Sequence, residues 1–341
     1  MKKLATITFS LLVYNICAQV IATLHHNGQT TVFYNQNGLA DAYSVAQSGD
    51  TIYLSGGHFA PITIDKRLTI FGAGHYPDST TATNITNIDG SITLNSNADN
   101  SHLEGLRING YFYLQTDSSV NNVMINRCYI TGRFYATGTR TNPCMFVTVK
   151  ESVIGEYFSV PNFLQCDVTN CIIYSEVDNA LNCSFRNNIF FATPYHGWPY
   201  YTYYNFYDCD NCLIENNIFM GSSSYFLLCD NSLVRNNVFT GTPSAIAGSL
   251  TLTANYINIS AAAIFLNYTV ASFTYSDNYN LQSPGTYLGA DGSQSGIYGG
   301  AFPYKPSAVP VNPHIRYVNV PATTDVNGNL NINIQSGAQQ D

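Results

Sequence analysis

The chain has 341 residues, with Lys+Arg 13 against Asp+Glu 21, a net charge of −8 and a pI near 5.2. That balance excludes a nucleic-acid partner, because phosphate contacts demand a basic surface. Charged residues make up only 10%, well under the roughly 25% of an average soluble domain, and Asn, Thr, Ser and Tyr take their place. The length suffices for a well-buried core.

The first residues read as an export signal. Met1-Lys2-Lys3 supplies a positive start, and Leu4 to Ile16 supplies an apolar run too short for a spanning helix. Cleavage is expected after Ala18, so residues 1–18 are assigned to the signal. Ile16 is too bulky for the small residue that lipidation of Cys17 would need. The expected destination is extracellular or the cell surface. No other stretch is apolar and long enough to span a membrane, and no Gly-rich phosphate loop is found.

A motif then recurs: apolar, polar, two bend residues, any residue, apolar. It reads Phe185-Arg186-Asn187-Asn188-Ile189-Phe190, then Ile214-Glu215-Asn216-Asn217-Ile218-Phe219, then Val234-Arg235-Asn236-Asn237-Val238-Phe239. Repeats of about 20 residues indicate stacked coils rather than one globular core. The second bend residue of each copy is Leu106, Cys128, Ser152, Cys171, Asn188, Asn217, Asn237 or Asn255. Three residues earlier the chain is apolar in every copy, from Leu103 to Leu252. Two residues later it is apolar again, from Ile108 to Ile257. Two residues before the bend stand Glu104, Asn126, Lys150, Thr169, Arg186, Glu215, Arg235 and Thr253, none of them apolar. Such a split predicts short strands meeting at a sharp bend, one side on a core and the other facing water.

The first bend residue is Gly105, Arg127, Glu151, Asn170, Asn187, Asn216, Asn236 or Ala254. Asn and Gly dominate, and both tolerate the left-handed backbone of a tight bend. Stacked Asn side chains can also bond from coil to coil as an amide ladder. The repeat length varies, shortest from Cys171 to Asn188 and longest from Asn188 to Asn217. That excludes fixed-period solenoids and suits a β-helix, where one bend is constant and other loops vary.

With these columns in hand, the chain resembles the right-handed parallel β-helix proteins of the pectate-lyase-like superfamily, especially secreted bacterial members of unassigned activity. Two further passages carry the resemblance. Leu39-Ala40-Asp41-Ala42-Tyr43-Ser44-Val45-Ala46 followed by Gly49-Asp50-Thr51-Ile52-Tyr53-Leu54 looks like the capping helix and first strand of that fold. Ile62-Thr63-Ile64, Lys66 and Leu68-Thr69-Ile70-Phe71-Gly72 resemble its next coil. The match covers roughly residues 39–260 and implies a fold, not an activity, because one fold hosts many functions.

Of nine cysteines, all but Cys17 lie beyond the signal. Cys128 and Cys171 share the second bend column; Cys166, Cys183 and Cys212 form another, and Cys209 and Cys229 a third, with Cys144 apart. Small buried residues stacked along a wall come first as an explanation. Scattered disulfides come second, since an exported chain permits them, and a zinc site around Cys209 and Cys212 comes last.

Three aspartates raise the question of chemistry. Asp210 and Asp230 hold equivalent positions on consecutive coils, with Asp208 nearby. Paired carboxylates repel, and calcium would relieve the repulsion. The plainer reading, water-facing or turn-bonding side chains, is preferred. The same trio is the candidate catalytic set if the protein is a lyase or hydrolase. An outward column of Arg186, Glu215 and Arg235 predicts a surface ion-pair ladder. The resemblance brings lyases that set arginine against an acidic sugar. Beyond the signal, however, only Lys66, Lys150 and Lys305 accompany scattered arginines, and the Asn-Thr-Asp and paired-Asp signatures of related hydrolases are missing.

The longest repeat holds an aromatic insertion: Tyr195, His196, Trp198, Tyr200, Tyr201, Tyr203, Tyr204, Phe206 and Tyr207. Long loops on rigid scaffolds often carry function, and flat rings suit the apolar faces of sugars. Against this stands simple packing of the rings over an outer wall of Ile172, Ile189, Ile218 and Val238. After Ile257 the register fades. Asp277-Asn278-Tyr279-Asn280-Leu281 suggests a last irregular coil, and Leu330-Asn331-Ile332-Asn333-Ile334 a strand. An open solenoid end needs a cover, and 271–341 is assigned to that cap.

The sequence therefore predicts an all-β chain: a cap at 19–49, a β-helix of about ten coils at 50–270 and a C-terminal cap. It is expected to be monomeric and without a cofactor unless calcium binds. The leading functional reading is an exported, non-catalytic protein that contacts polysaccharide or another cell-surface partner through the loop at 195–207. The alternatives are a polysaccharide lyase or glycoside hydrolase with an atypical carboxylate site, and a structural or adhesive rod.

Overall fold

The computed structural model describes residues 20–338 except 80, 115–118, 137–140, 192–203, 222–223 and 269–272. The assigned signal, 1–18, lies outside the described residues. The chain forms a parallel β-solenoid of about nine turns. Its N-terminal end is closed by a hairpin, β1 (Ile21–His26) and β2 (Gln29–Tyr34), and by the helix α1 (Gly38–Val45). The helix falls where the resemblance places it; the hairpin is an addition to the expected cap. β1 pairs antiparallel with β3 (Thr51–Leu54), so the cap occupies the sheet edge that would otherwise be open.

Three sheets form the walls. The first runs from β3 to Thr251–Thr253, the second from Gly57–Phe59 to Val238–Phe239, and the third from Ile62–Ile64 to Pro243–Ile246. Pairing agrees with the sequence columns: Leu103, Ile125, Val149, Val168, Phe185, Ile214, Val234 and Leu252 are consecutive partners. From Leu103 to Val234 all are buried. Ile257 is 46% exposed, because no further coil covers it. Phe190, Phe219 and Phe239 stack with centroids 4.8 and 4.6 Å apart, the spacing of neighbouring strands.

Left-handed residues make the corners. All eight first-bend residues have positive φ, from 47° at Glu151 to 73° at Gly105. Phe146, Gln165, Asn182, Asn211 and Asn231 form a second such column, and Asn179, Asp208 and Leu228 a third. The residue after each bend turns inward and serves the coil before it. Asn188 Nδ2 donates to the Val168 carbonyl at 3.0 Å, while Cys171 Sγ lies 3.4 Å from the Val149 carbonyl in the same column. Ser232 Oγ likewise reaches Cys209 O at 2.8 Å. Amide, thiol and hydroxyl thus fill one kind of slot, which is why the cysteines fall in columns. All eight described cysteines are free and buried, and burial pushes the Cys128 thiol up to about 12. A thiol held that way is a poor nucleophile.

The tail departs from expectation. Beyond Tyr256 the chain forms an antiparallel pair, Phe265–Asn267 with Asn278–Leu281, and then runs back along the outside of the second sheet. Ile264, Tyr279, Leu281, Ile297 and Tyr304 bury the wall of Val153, Ile172, Ile189, Ile218 and Val238. The first-bend column, with Glu104 beside it, holds this strap by its backbone. Asn216 Oδ1 accepts from Ala290 N, and Asn170 Nδ2 donates to Ile297 O and Gly299 O. Glu151 Oε2 accepts from Lys305 N at 2.8 Å, and Glu104 Oε1 from Val311 N at 2.7 Å. A Cβ on Gly105 would meet Pro310 Cγ at 2.2 Å, so only glycine fits there. The segment assigned as an end cover is therefore chiefly a flank strap. It ends in an exposed hairpin, His314–Asn319 with Asn333–Gly337.

The strap also buries charge. Glu104 and Glu215, expected to face water, are only 0% and 7% exposed. Buried Arg127 bridges Glu104 at 3.0 Å and Glu151 at 3.1 Å, so each carboxylate is shared between a guanidinium and a strap N–H. Near the strap's other contact His75 is buried among Tyr76, Tyr129, Phe273 and Tyr275. Burial, and then the Arg107 charge, lowers its pKa from 6.5 to about 3.

Two outcomes are expected. Asn217→Ala removes an acceptor for Asn188 and donors to Phe185 O and Asn237, so chemical denaturation should show a loss of about 3 kcal/mol, whereas Cys212→Ser should cost under about 1 kcal/mol. Because His75 binds its proton less readily folded than unfolded, its contribution is intact above pH 6.5 and declines as pH falls toward about 3. Melting curves of His75→Phe should show a shallower acid decline by about one proton.

Candidate functional site

The aromatic insertion comes after Phe191, the last described residue before 192. Tyr195, His196, Trp198, Tyr200, Tyr201 and Tyr203 lie outside the described residues. Tyr204 is buried, its ring 6.1 Å from that of Tyr207, and Phe206 belongs to the core beside Phe226. The wall offered as the alternative resting place, Ile172, Ile189, Ile218 and Val238, is covered by the strap.

Beside Phe191 opens a cleft of about 290 Å³, lined by Tyr129, Ile154, Gly155, Ile172, Tyr174, Phe191 and Phe273. Four of these residues are aromatic. Tyr174 is 40% exposed, Phe191 stacks on Tyr268 at 5.9 Å, and Tyr129 meets Phe273 edge-on at 5.4 Å. The second-sheet bends bring Tyr129, Tyr174 and Phe191 onto one flank, and the strap supplies Phe273. Repeat spacing could have flagged Tyr129, which stands in the Ile172 column; nothing local ties Phe273 to it.

The aspartates act as rungs. Asp210 Oδ1 accepts the Asp230 N–H at 2.8 Å, and Asp230 Oδ1 accepts from Ser249 N at 2.9 Å and Ser249 Oγ at 3.0 Å. Asp208 holds a left-handed bend, φ 50°. One oxygen of each stacked carboxylate is thus committed to the next coil, and among the described residues no three His, Cys, Asp or Glu side chains are grouped to hold a metal. These bonds run from coil to coil, so Asp210 and Asp230 serve the neighbouring coil and not, as expected, their own turn or open water.

The outward charged column is in register, Arg186 beside Glu215 beside Arg235. Arg235 Nε lies 2.8 Å from Glu215, but Arg186 turns to Asp167 on the preceding coil, at 3.1 Å. The predicted ladder is therefore two separate pairs. Asp167, Arg186 and Glu215 line a polar groove of about 230 Å³ between the first sheet and the strap, with Lys150 4.5 Å above the Phe302 ring.

No protein-family model matches the chain, and no curated protein matches it. The described fold thus stands on its own geometry: no helix among the described residues is long and apolar enough to cross a membrane.

The rung assignment is testable by substitution. Asp210→Asn keeps an acceptor oxygen and should leave the melting temperature near that of the parent, while Asp210→Ala should cost about 1 kcal/mol. A charge-dependent role would erase the difference, with both variants equally impaired.

Proposed function

We propose that this is an exported β-helix protein of the pectate-lyase-like kind that contacts polysaccharide, or another hydroxyl-rich cell-surface partner, without cutting it. The observation that carries the reading is the aromatic cleft of Tyr129, Tyr174, Phe191 and Phe273, adjoining in sequence an insertion that holds the only tryptophan. Aromatic faces pair with the C–H faces of sugar rings, and tyrosine hydroxyls add polar contacts at the rim. A solenoid suits such a partner, since successive coils offer a straight flank along which a polymer can lie. Export rests on the signal at residues 1–18, and calcium is not required by this reading.

Residues 19–341 should be retained by at least one member of a panel of plant, algal and microbial polysaccharides, with no new reducing ends. Trp198 emission reports binding directly, because the chain has a single tryptophan. Tyr174→Ala and Trp198→Ala should each weaken retention about tenfold, on the order of 1.4 kcal/mol. Unchanged retention in both variants would remove the aromatic flank from the reading. Release of reducing ends would make the protein a chain-cleaving enzyme instead.

A further inference from the structure

The outward column of the second sheet changes character along its length. It begins His58, Asn87, Arg107 and Tyr129 and continues Val153, Ile172, Ile189, Ile218 and Val238, in register at every step. The strap covers the apolar part. At the polar end a cleft of about 370 Å³ remains, lined by Gly57, His58, Pro77, Asn84, Ile85 and Asn87.

Within it, His58 Nδ1 lies 2.9 Å from both carboxylate oxygens of Asp89. Asn109 Nδ2 steadies the arrangement, donating to Asp89 Oδ1 at 3.3 Å and to Asn87 Oδ1 at 3.4 Å. A carboxylate at Nδ1 fixes the proton there and leaves the Nε2 lone pair free to accept another. Nε2 has no partner among the described residues, and the His58 side chain is 64% exposed. Asn87 is 5% exposed, and with its oxygen engaged by Asn109 its own Nδ2 is an unpaired donor among the described residues. A base and an amide donor therefore stand on adjacent coils, about 4.8 Å apart by strand spacing.

We propose that this cleft is a site for hydrolysis of small carboxylic esters, with His58 as general base. His58 Nε2 takes a proton from water as the water oxygen bonds to the ester carbonyl carbon. The carbonyl oxygen becomes an oxyanion, and the Asn87 amide donates to it. Collapse of the tetrahedral species breaks the bond to the alkoxy oxygen, and His58 returns the proton to that leaving group. Ester and water give acid and alcohol, with no oxidant, metal or cofactor. The site lies three coils from Tyr129 of the aromatic cleft and goes beyond the glycan-contact reading, since polymer ends are untouched.

The experiment measures nitrophenolate release from p-nitrophenyl acetate by residues 19–341, as parent, His58→Gln, Asp89→Asn and His314→Gln. The expected result is a saturable rate that His314→Gln retains and His58→Gln loses to the uncatalysed level. Asp89→Asn should lower kcat about 10²-fold or more, and the parent should show an ascending pH limb absent from His58→Gln. His58 and Asp89 are exposed and His314 is half-buried on the exposed hairpin, and circular dichroism should match the parent throughout. A rate no faster than His58→Gln, a rate that never saturates, or one that His314→Gln lowers equally would overturn the proposal.

Discussion

A single backbone constraint organises this protein: at fixed places in each coil, one residue must adopt left-handed φ. Where it does, the chain turns a sharp corner and the next side chain points inward. That side chain then bonds to the coil before it, as Asn188, Asn217 and Asn237 do with Val168, Phe185 and Ile214. Register, corner angle and polar satisfaction thus come from one device. Nothing else need match from coil to coil, which is why the outer loops tolerate such different lengths. It is also why Cys171, Ser152 and Asn188 interchange in one column: each offers a small polar atom at the right height.

The same corners do a second task. Their outward side chains, Glu151, Asn170, Asn187 and Asn216, together with Glu104 just before the Gly105 corner, grip the backbone of a strap that arrives from the far end of the chain. An amide or carboxylate that would otherwise face water directs its hydrogen bonds to carbonyl and N–H groups of an irregular segment. The buried Glu104–Arg127–Glu151 group shows the cost of that choice. Arg127 cannot be removed without leaving two desolvated carboxylates, a loss on the order of 3–5 kcal/mol by comparison with other buried pairs.

These two tasks determine how much of the molecule was legible in the sequence. Parallel in-register stacking turns a spatial column into a sequence column, so Leu103 through Val234 and the cysteines could be read by alignment alone. The aspartates were legible as a stacked pair, yet their chemistry depended on which backbone N–H each oxygen would meet. The strap left no such trace. Tyr304 meets Tyr76, and Phe273 meets Tyr129, across sequence separations that no local period records. Glu104 and Glu215 look water-facing for the same reason, because polarity alone does not reveal a later segment lying overhead. The aromatic residues of the insertion were identified by length and composition, whereas the cleft rings Tyr174 and Phe191 escaped notice because each resembles an ordinary wall residue.

The direction of the strap alters how the molecule can come apart. A plain solenoid behaves as a one-dimensional array whose repeats contact only their neighbours and can fray from either end. Here Ala290 is bound at Asn216, Ile297 at Asn170, Lys305 at Glu151 and Val311 at Glu104. A late segment of the chain is thereby stitched, in reverse order, to progressively earlier coils. An end coil cannot peel away without also unseating a segment anchored several coils distant. The array is converted into a closed circuit, and the strap can seat only once the coils beneath it exist. Synthesis in chain order, N-terminus first, would deliver the parts in the sequence that this circuit requires.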